Sequence, residues 1–169
     1  MKNIILCGFM GCGKTSVGKK LSTLLNMRFV DTDALIEKQE NMSISQIFAE
    51  YGEAYFRQKE AELCDTLKEY TNTVIATGGG FSVNELVAPK LKGIGSTVYL
   101  QVSDKTVLKR VFADPDRPLV VNKSAQEIIT LYNKRKSKYL SVADVIVSGE
   151  KSKKQVALSI IEELKIKCQ

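Results

Sequence analysis

Apolar positions along this chain fall into two rhythms. Short apolar runs, Asn3-Ile4-Ile5-Leu6-Cys7, Thr73-Val74-Ile75-Ala76-Thr77 and Thr97-Val98-Tyr99-Leu100-Gln101-Val102, read as buried strands. Arg28-Phe29-Val30-Asp31 and Val142 to Val147 supply two more. Between them the rhythm becomes helical. Val17, Leu21, Leu24 and Leu25 make one stripe, and Phe56, Leu63, Leu67 and Tyr70 another. Val107, Leu108, Val111 and Phe112 follow, then Ile128, Ile129, Leu131 and Tyr132, then Val156, Ile160, Ile161 and Leu164. Strand and helix alternate five times, which predicts an α/β fold whose parallel sheet is covered on both faces.

Local signals place the element ends. Ser43 with Gln46 forms a capping box for a helix stopped by Gly52. Asp104 and Ser124 are read as caps, Val83 to Leu91 as a helix, and Gly93-Ile94-Gly95 as a turn. Asp33 is a natural cap for a helix starting at Ala34. The rhythm lapses over Ala113 to Asn122, which carries two prolines between clear helices. Such a stretch predicts a functional loop. The whole chain, 1–169, reads as one domain, with a helical insert at about 34–60 and a lid at about 113–123.

The chemistry begins at Gly8-Phe9-Met10-Gly11-Cys12-Gly13-Lys14-Thr15, which fits G-x-x-x-x-G-K-[ST] between a strand and a helix. A polyphosphate is a dense anion. The glycines let backbone N–H groups turn inward, and the following helix offers its positive end. Lys14 is placed to reach the β- and γ-phosphates, and the Thr15 hydroxyl to bind Mg²⁺. Asp31 and Asp33 project alike from the carboxyl end of a strand, where ligands of open α/β sheets bind. One carboxylate could hold the metal through water, and the other could accept a hydroxyl proton. Arg57 and Glu60 are either a surface ion pair or a guanidinium held ready for a carboxylate. Gly78-Gly79-Gly80 ends another strand, where close backbone approach to a ligand is expected. A kinase must exclude water, so a closing lid carrying Arg117 fits phosphoryl transfer.

Composition narrows the rest. Hydrophobic residues make up 44% of the chain, and no apolar run approaches the ~20 residues of a membrane helix. With Met1-Lys2-Asn3 leading straight into a strand, a cytoplasmic protein is expected. The four cysteines show no C-x-x-C pair and there is no histidine, so neither zinc nor a disulfide framework is expected. Cys12 reads as a space-filler inside the loop, with a redox switch as the alternative. The net charge of +6 could signal nucleic acid, but the basic clusters lack interleaved aromatics. Small anionic substrates account for it, with no nucleic-acid or membrane partner.

Taken together, the phosphate loop, Asp31-Thr32-Asp33, Gly52-Glu53 with Phe56-Arg57 and Glu60, Thr77 to Gly80, Arg117-Pro118-Leu119, Arg135 with Tyr139, and Val142-Ala143-Asp144 resemble the shikimate kinases from end to end. That resemblance implies a P-loop kinase of the nucleoside monophosphate kinase type. Its sheet order would be 2-3-1-4-5, with a mobile lid. It implies transfer of the γ-phosphoryl of ATP to the 3-hydroxyl of shikimate on the route to chorismate and aromatic amino acids, with Mg²⁺ as cofactor and a monomer as the working form. By position, Asp33 would bind the shikimate hydroxyls and act as base, with Lys14 and Arg117 also catalytic. Gly11, Cys12, Gly13, Lys14, Thr15, Ser16, Arg110 and Arg117 would meet ATP, and Thr15 and Asp31 the metal. Arg57, Arg135, Glu60 and Gly78 to Gly80 would hold shikimate, against a wall of Ile44, Phe48, Phe56, Pro118 and Leu119. Where the family often has an arginine before the last helix, this chain has Gly149-Glu150-Lys151-Ser152-Lys153-Lys154. A gluconate-type kinase and a non-catalytic nucleotide switch are the competing readings. A GTPase would want N-K-x-D, whereas Asn133-Lys134-Arg135-Lys136 lacks the aspartate.

Overall fold

The computed structural model describes residues 2–113 and 123–166. Five strands form: β1 Asn3–Cys7, β2 Arg28–Asp31, β3 Thr73–Ala76, β4 Gly95–Gln101 and β5 Val145–Ser148. They make one parallel sheet in the order β2-β3-β1-β4-β5, as the resemblance implies. The described α-helices are α1 Lys14–Leu25, α2 Thr32–Glu40, α3 Ile44–Leu67, α4 Asp104–Phe112, α5 Ala125–Val142 and α6 Lys153–Glu163.

Strand alternation divides the core. On β1, Ile4 and Leu6 join Leu21, Leu100 and Ile160 on one face, while Ile5 joins Ile36, Ile47, Leu63 and Phe81 on the other. Both faces of the sheet are packed at its centre, which is why β1 and β3 are buried throughout, whereas the edge strands β2 and β5 are partly exposed. The carboxyl ends of β1, β2 and β3 lie side by side, so the phosphate loop, Asp31 to Asp33 and the triglycine emerge at one edge.

Several element ends differ from expectation. Asp31, not Asp33, caps α2: its Oδ1 accepts from the Asp33 N–H at 3.1 Å, so Asp33 sits inside the first turn. Ser43 and Gln46 form the expected capping box, and the helix they start is stopped at Gly52 as expected: α3 reaches Leu67 only as a second helical stretch beyond a non-helical Gly52 (φ 80°, ψ 176°). A backbone in that region favours glycine, and it separates the two helical stretches of α3. The stretch read as a helix over 83–91 is instead two 3₁₀ turns, Phe81–Val83 and Ala88–Gly93. Pro89 lacks an N–H to donate into an α-helix there, and Asn84 is extended. Gly95, read as part of a turn, opens β4 opposite Asn3. Ser103 caps α4 in place of Asp104, its hydroxyl accepting from the Thr106 N–H at 3.3 Å. Strand β5 starts at Val145 because α5 runs through to Val142.

Candidate active site

The phosphate loop curls between β1 and α1, with Gly8, Gly11 and Gly13 all at positive φ. Lys14 is buried, and its ammonium donates to the carbonyls of Gly8 at 2.8 Å and Phe9 at 2.9 Å. It therefore folds back over the loop rather than extending from it. Its Nζ also lies 3.6 Å from Cys12 Sγ, and Cys12 is buried as a space-filler would be. The loop lines a hollow of about 450 Å³ together with Asp31, Asp33, Thr77, Gly78, Gly79 and Arg110. Arg110 bridges two of its walls, donating to Gly11 O at 3.1 Å and Gly149 O at 3.2 Å. Gly149, Lys151 and Lys153 reach the same hollow, so lysines stand on the side where the family's arginine was sought.

Thr15 Oγ1 donates to Asp31 Oδ2 at 2.8 Å, so the two expected metal contacts meet at the mouth of the loop. Both are hard oxygen donors. Mg²⁺ is commonly held by one or two such protein oxygens, with phosphate oxygens and water completing its shell. The pair fits that ion.

Asp33 is half-buried, and its Oδ1 is shut off from solvent with no hydrogen-bond partner among the described residues. Burial, and then the negative charges of Asp31 and Glu60, push its carboxyl up to about 6; Lys14 acts in the opposite direction. A carboxylate near neutrality is suited to taking a proton in a transition state. Gly78 lets it lie there, because a Cβ at that position would collide with the Asp33 carboxylate. Thr32 fixes the strand end, its hydroxyl accepting from Gly78 N–H at 2.9 Å.

Across the triglycine a second hollow, of about 430 Å³, is lined by Glu53, Arg57, Gly80, Asn84 and Arg135 among others. Glu60 is 0% exposed and its Oε2 accepts from Arg57 Nη1 at 2.8 Å. The pair is therefore no surface bridge. Two ions so placed need precise partners to offset desolvation. Glu53 completes the frame, its Oε1 accepting from Arg57 Nε at 3.2 Å and Nη2 at 2.8 Å. A Cβ on Gly80 would strike the Arg57 guanidinium, so glycine is needed here for close approach as well. Arg135 stands 5.9 Å over the Phe9 ring, with a buried Nη1 that has no partner among the described residues. Tyr139 donates to Gly79 O at 2.6 Å and so ties α5 to the triglycine.

The Phe48 and Phe56 rings meet at a tilt, 5.0 Å between centroids, with Phe56 in the core and Phe48 packed against it, and they line neither hollow. Ile44 packs against that core too. Arg117, Pro118 and Leu119 lie outside the described residues, as does most of the lid. Asn84, Lys151 and Lys153 were missed from the sequence. Asn84 lay in a stretch read as helix, and the lysines lie far from the loop in the chain.

The shikimate kinase family model matches residues 10–165. A shikimate kinase of Alkaliphilus oremlandii is 44% identical over 148 residues, covering 86% of this chain and 88% of that protein. The solved shikimate kinase of Acinetobacter baumannii in complex with shikimate superposes with a TM-score of 0.90 at 32% identity, covering 99% of this chain and 96% of that one. A gluconokinase of Sinorhizobium meliloti shares the fold alone, with a TM-score of 0.58 at 15% identity over 97% of this chain and 91% of its own. This chain belongs to the shikimate kinase family.

Proposed function

We propose that this protein transfers the γ-phosphoryl of ATP to the 3-hydroxyl of shikimate, giving shikimate 3-phosphate and ADP. One observation carries the assignment of roles: the triglycine separates a hollow lined by the phosphate loop from an arginine-lined one, with Asp33 against Gly78 at the boundary. Shikimate is a small ring with one carboxylate and three hydroxyls. Arg57 and Arg135 would take the carboxylate, and the Gly78 to Gly80 backbone would pass close to the ring. The Asp33 carboxylate would accept the proton of the 3-hydroxyl as the hydroxyl oxygen bonds to the γ-phosphorus and the bridging oxygen leaves with ADP. At neutral pH the Asp33 carboxylate is mostly ionised, as a base must be.

The rest is positioning and charge. Loop N–H groups and Lys14 hold the phosphates, with Arg110 bracing the loop. Thr15 and, through water, Asp31 would hold Mg²⁺, which would supply positive charge to the phosphates. Arg117 from the lid would add positive charge to the transferring group, and Pro118 and Leu119, with Phe48 and Phe56 behind, would complete the apolar wall. These roles come from the motif resemblance. The same holds for a cytoplasmic monomer acting on small molecules alone, for which sedimentation is the check.

Coupled ADP release with ATP and Mg²⁺ tests the acceptor. Release is expected with shikimate and not with gluconate or a nucleoside. Equal release with every acceptor, or release with gluconate only, would overturn the assignment.

A further inference from the structure

Asn84 belongs to none of the motifs above, yet its side chain uses all of its polar atoms at the acceptor hollow. It is 8% exposed and follows the first 3₁₀ turn after the triglycine. Its Nδ2 donates to Arg57 O at 2.9 Å and to Glu60 Oε2 at 3.1 Å, and its Oδ1 accepts from Leu86 N–H at 3.0 Å. Its own N–H donates to Gly80 O at 3.0 Å. One residue thus joins the triglycine to the turn of α3 that carries both members of the buried ion pair.

Among the described residues, Glu60 Oε2 receives two donors, Arg57 Nη1 and Asn84 Nδ2, while the buried Oε1 receives none. A carboxylate turns broadly about its last torsion, so a single donor leaves its plane loosely set. A second donor on the same oxygen fixes which oxygen faces the arginine. Burial raises the Glu60 carboxyl; the Arg57 charge and the bond from Asn84 oppose that and favour the ion. The other charges facing it are Arg135 on α5 and Asp33 on α2. Arg57 in turn has five N–H bonds to give. Among the described residues Glu53 takes two and Glu60 one, which leaves one on each terminal nitrogen, the number a carboxylate takes in a fork.

We propose that Asn84 is a positioning residue for the acceptor's carboxylate: by holding Glu60 in one orientation, it keeps Arg57 aimed into the hollow. This rests on Arg57 gripping that carboxylate. Asn84→Ala should raise the KM for shikimate by about tenfold, since one lost bond to a charged group is of order 1.4 kcal/mol. The KM for ATP and kcat should stay within about twofold, because the phosphate loop and Asp33 are untouched. Asn84→Asp, of the same shape but with no N–H to donate, should act in the same direction and more strongly. If the alanine variant does not fold, Asn84→Ser carries the same test.

An unchanged KM for shikimate in a folded variant would overturn the proposal, as would equal rises in both KM values. Arg57→Leu separates the two layers. If it leaves the KM for shikimate unchanged, the assignment of the hollow fails. If it raises that KM while the Asn84 variants do not, only the role of Asn84 fails.

Discussion

The two hollows on either side of the triglycine are built by opposite means. The phosphate hollow is dominated by one contiguous segment, Met10 to Val17, whose binding groups are mainly backbone N–H and a helix end. The acceptor hollow takes side chains from α3, the segment after the triglycine, and α5, with Arg57 and Arg135 far apart in the chain. Backbone geometry follows from local sequence and recognises any polyphosphate. A side-chain cage depends on the packing of distant elements and can be specific to one acid. Affinity for nucleotide should therefore survive damage to the acceptor side, and selectivity should not.

The largest effect is expected at the boundary. Asp33→Asn should lower turnover by roughly 10²–10⁴, the usual range for a general base, with little change in nucleotide binding. Steady-state kinetics beside ATP titration would show it. The same variant should melt higher than the parent at neutral pH. A carboxyl raised from 3.8 to about 6 in the fold binds protons more tightly there than when unfolded. Ionising it therefore removes stability as pH rises through that window, and the removed stability is absent from the parent above it. Melts well below and well above the window should give, respectively, a small and a larger difference between the two proteins. For the parent, kcat/KM for shikimate should fall as pH drops through about 6, as the base becomes protonated.

Gly78→Ala sharpens the contrast at a middle scale. The added methyl would meet the Asp33 carboxylate and displace it. Misplacement of a reacting group by about an ångström is enough for a loss of roughly 10- to 100-fold in kcat, while the KM for ATP should barely move. A parallel loss of ATP binding would mean that the two hollows are not separable.

The smallest effect is a control on α3. Ser43→Ala removes a capping box at the helix start, one helical segment before the acceptor residues. Stability should drop by about 1 kcal/mol in a denaturant melt, with both KM values unchanged. A rise in the KM for shikimate would show that the Gly52 kink does not insulate Arg57 from the start of the helix.

Much of the molecule was legible beforehand. The phosphate loop is written in adjacent residues, and the central strands are apolar on both faces, so the loop, the sheet and the helix stripes were placed nearly as found. Caps were less secure. At Asp31 and Asp33, and at Ser103 and Asp104, both neighbours are good cap residues, and the backbone entry angle decides between them. The stretch after the triglycine misled because its apolar spacing mimics a helix, whereas Pro89 and the pinned Asn84 make 3₁₀ turns. Arg57 and Glu60 were visible as a pair, but a helix surface looks the same in sequence whether it faces water or the triglycine.

By itself, the sequence determined that this chain folds as a parallel α/β sheet with a phosphate loop at the end of β1, because both rest on local periodicity and on glycines at fixed spacing. Only the tertiary structure decided that Glu60 is buried, that Asn84 and Arg57 share one of its oxygens, and that Lys151 and Lys153 come to the phosphate hollow. Those facts depend on which faces the helices turn to one another. Burial raises the stakes of each polar contact, and no single stretch of sequence sets which contacts become buried.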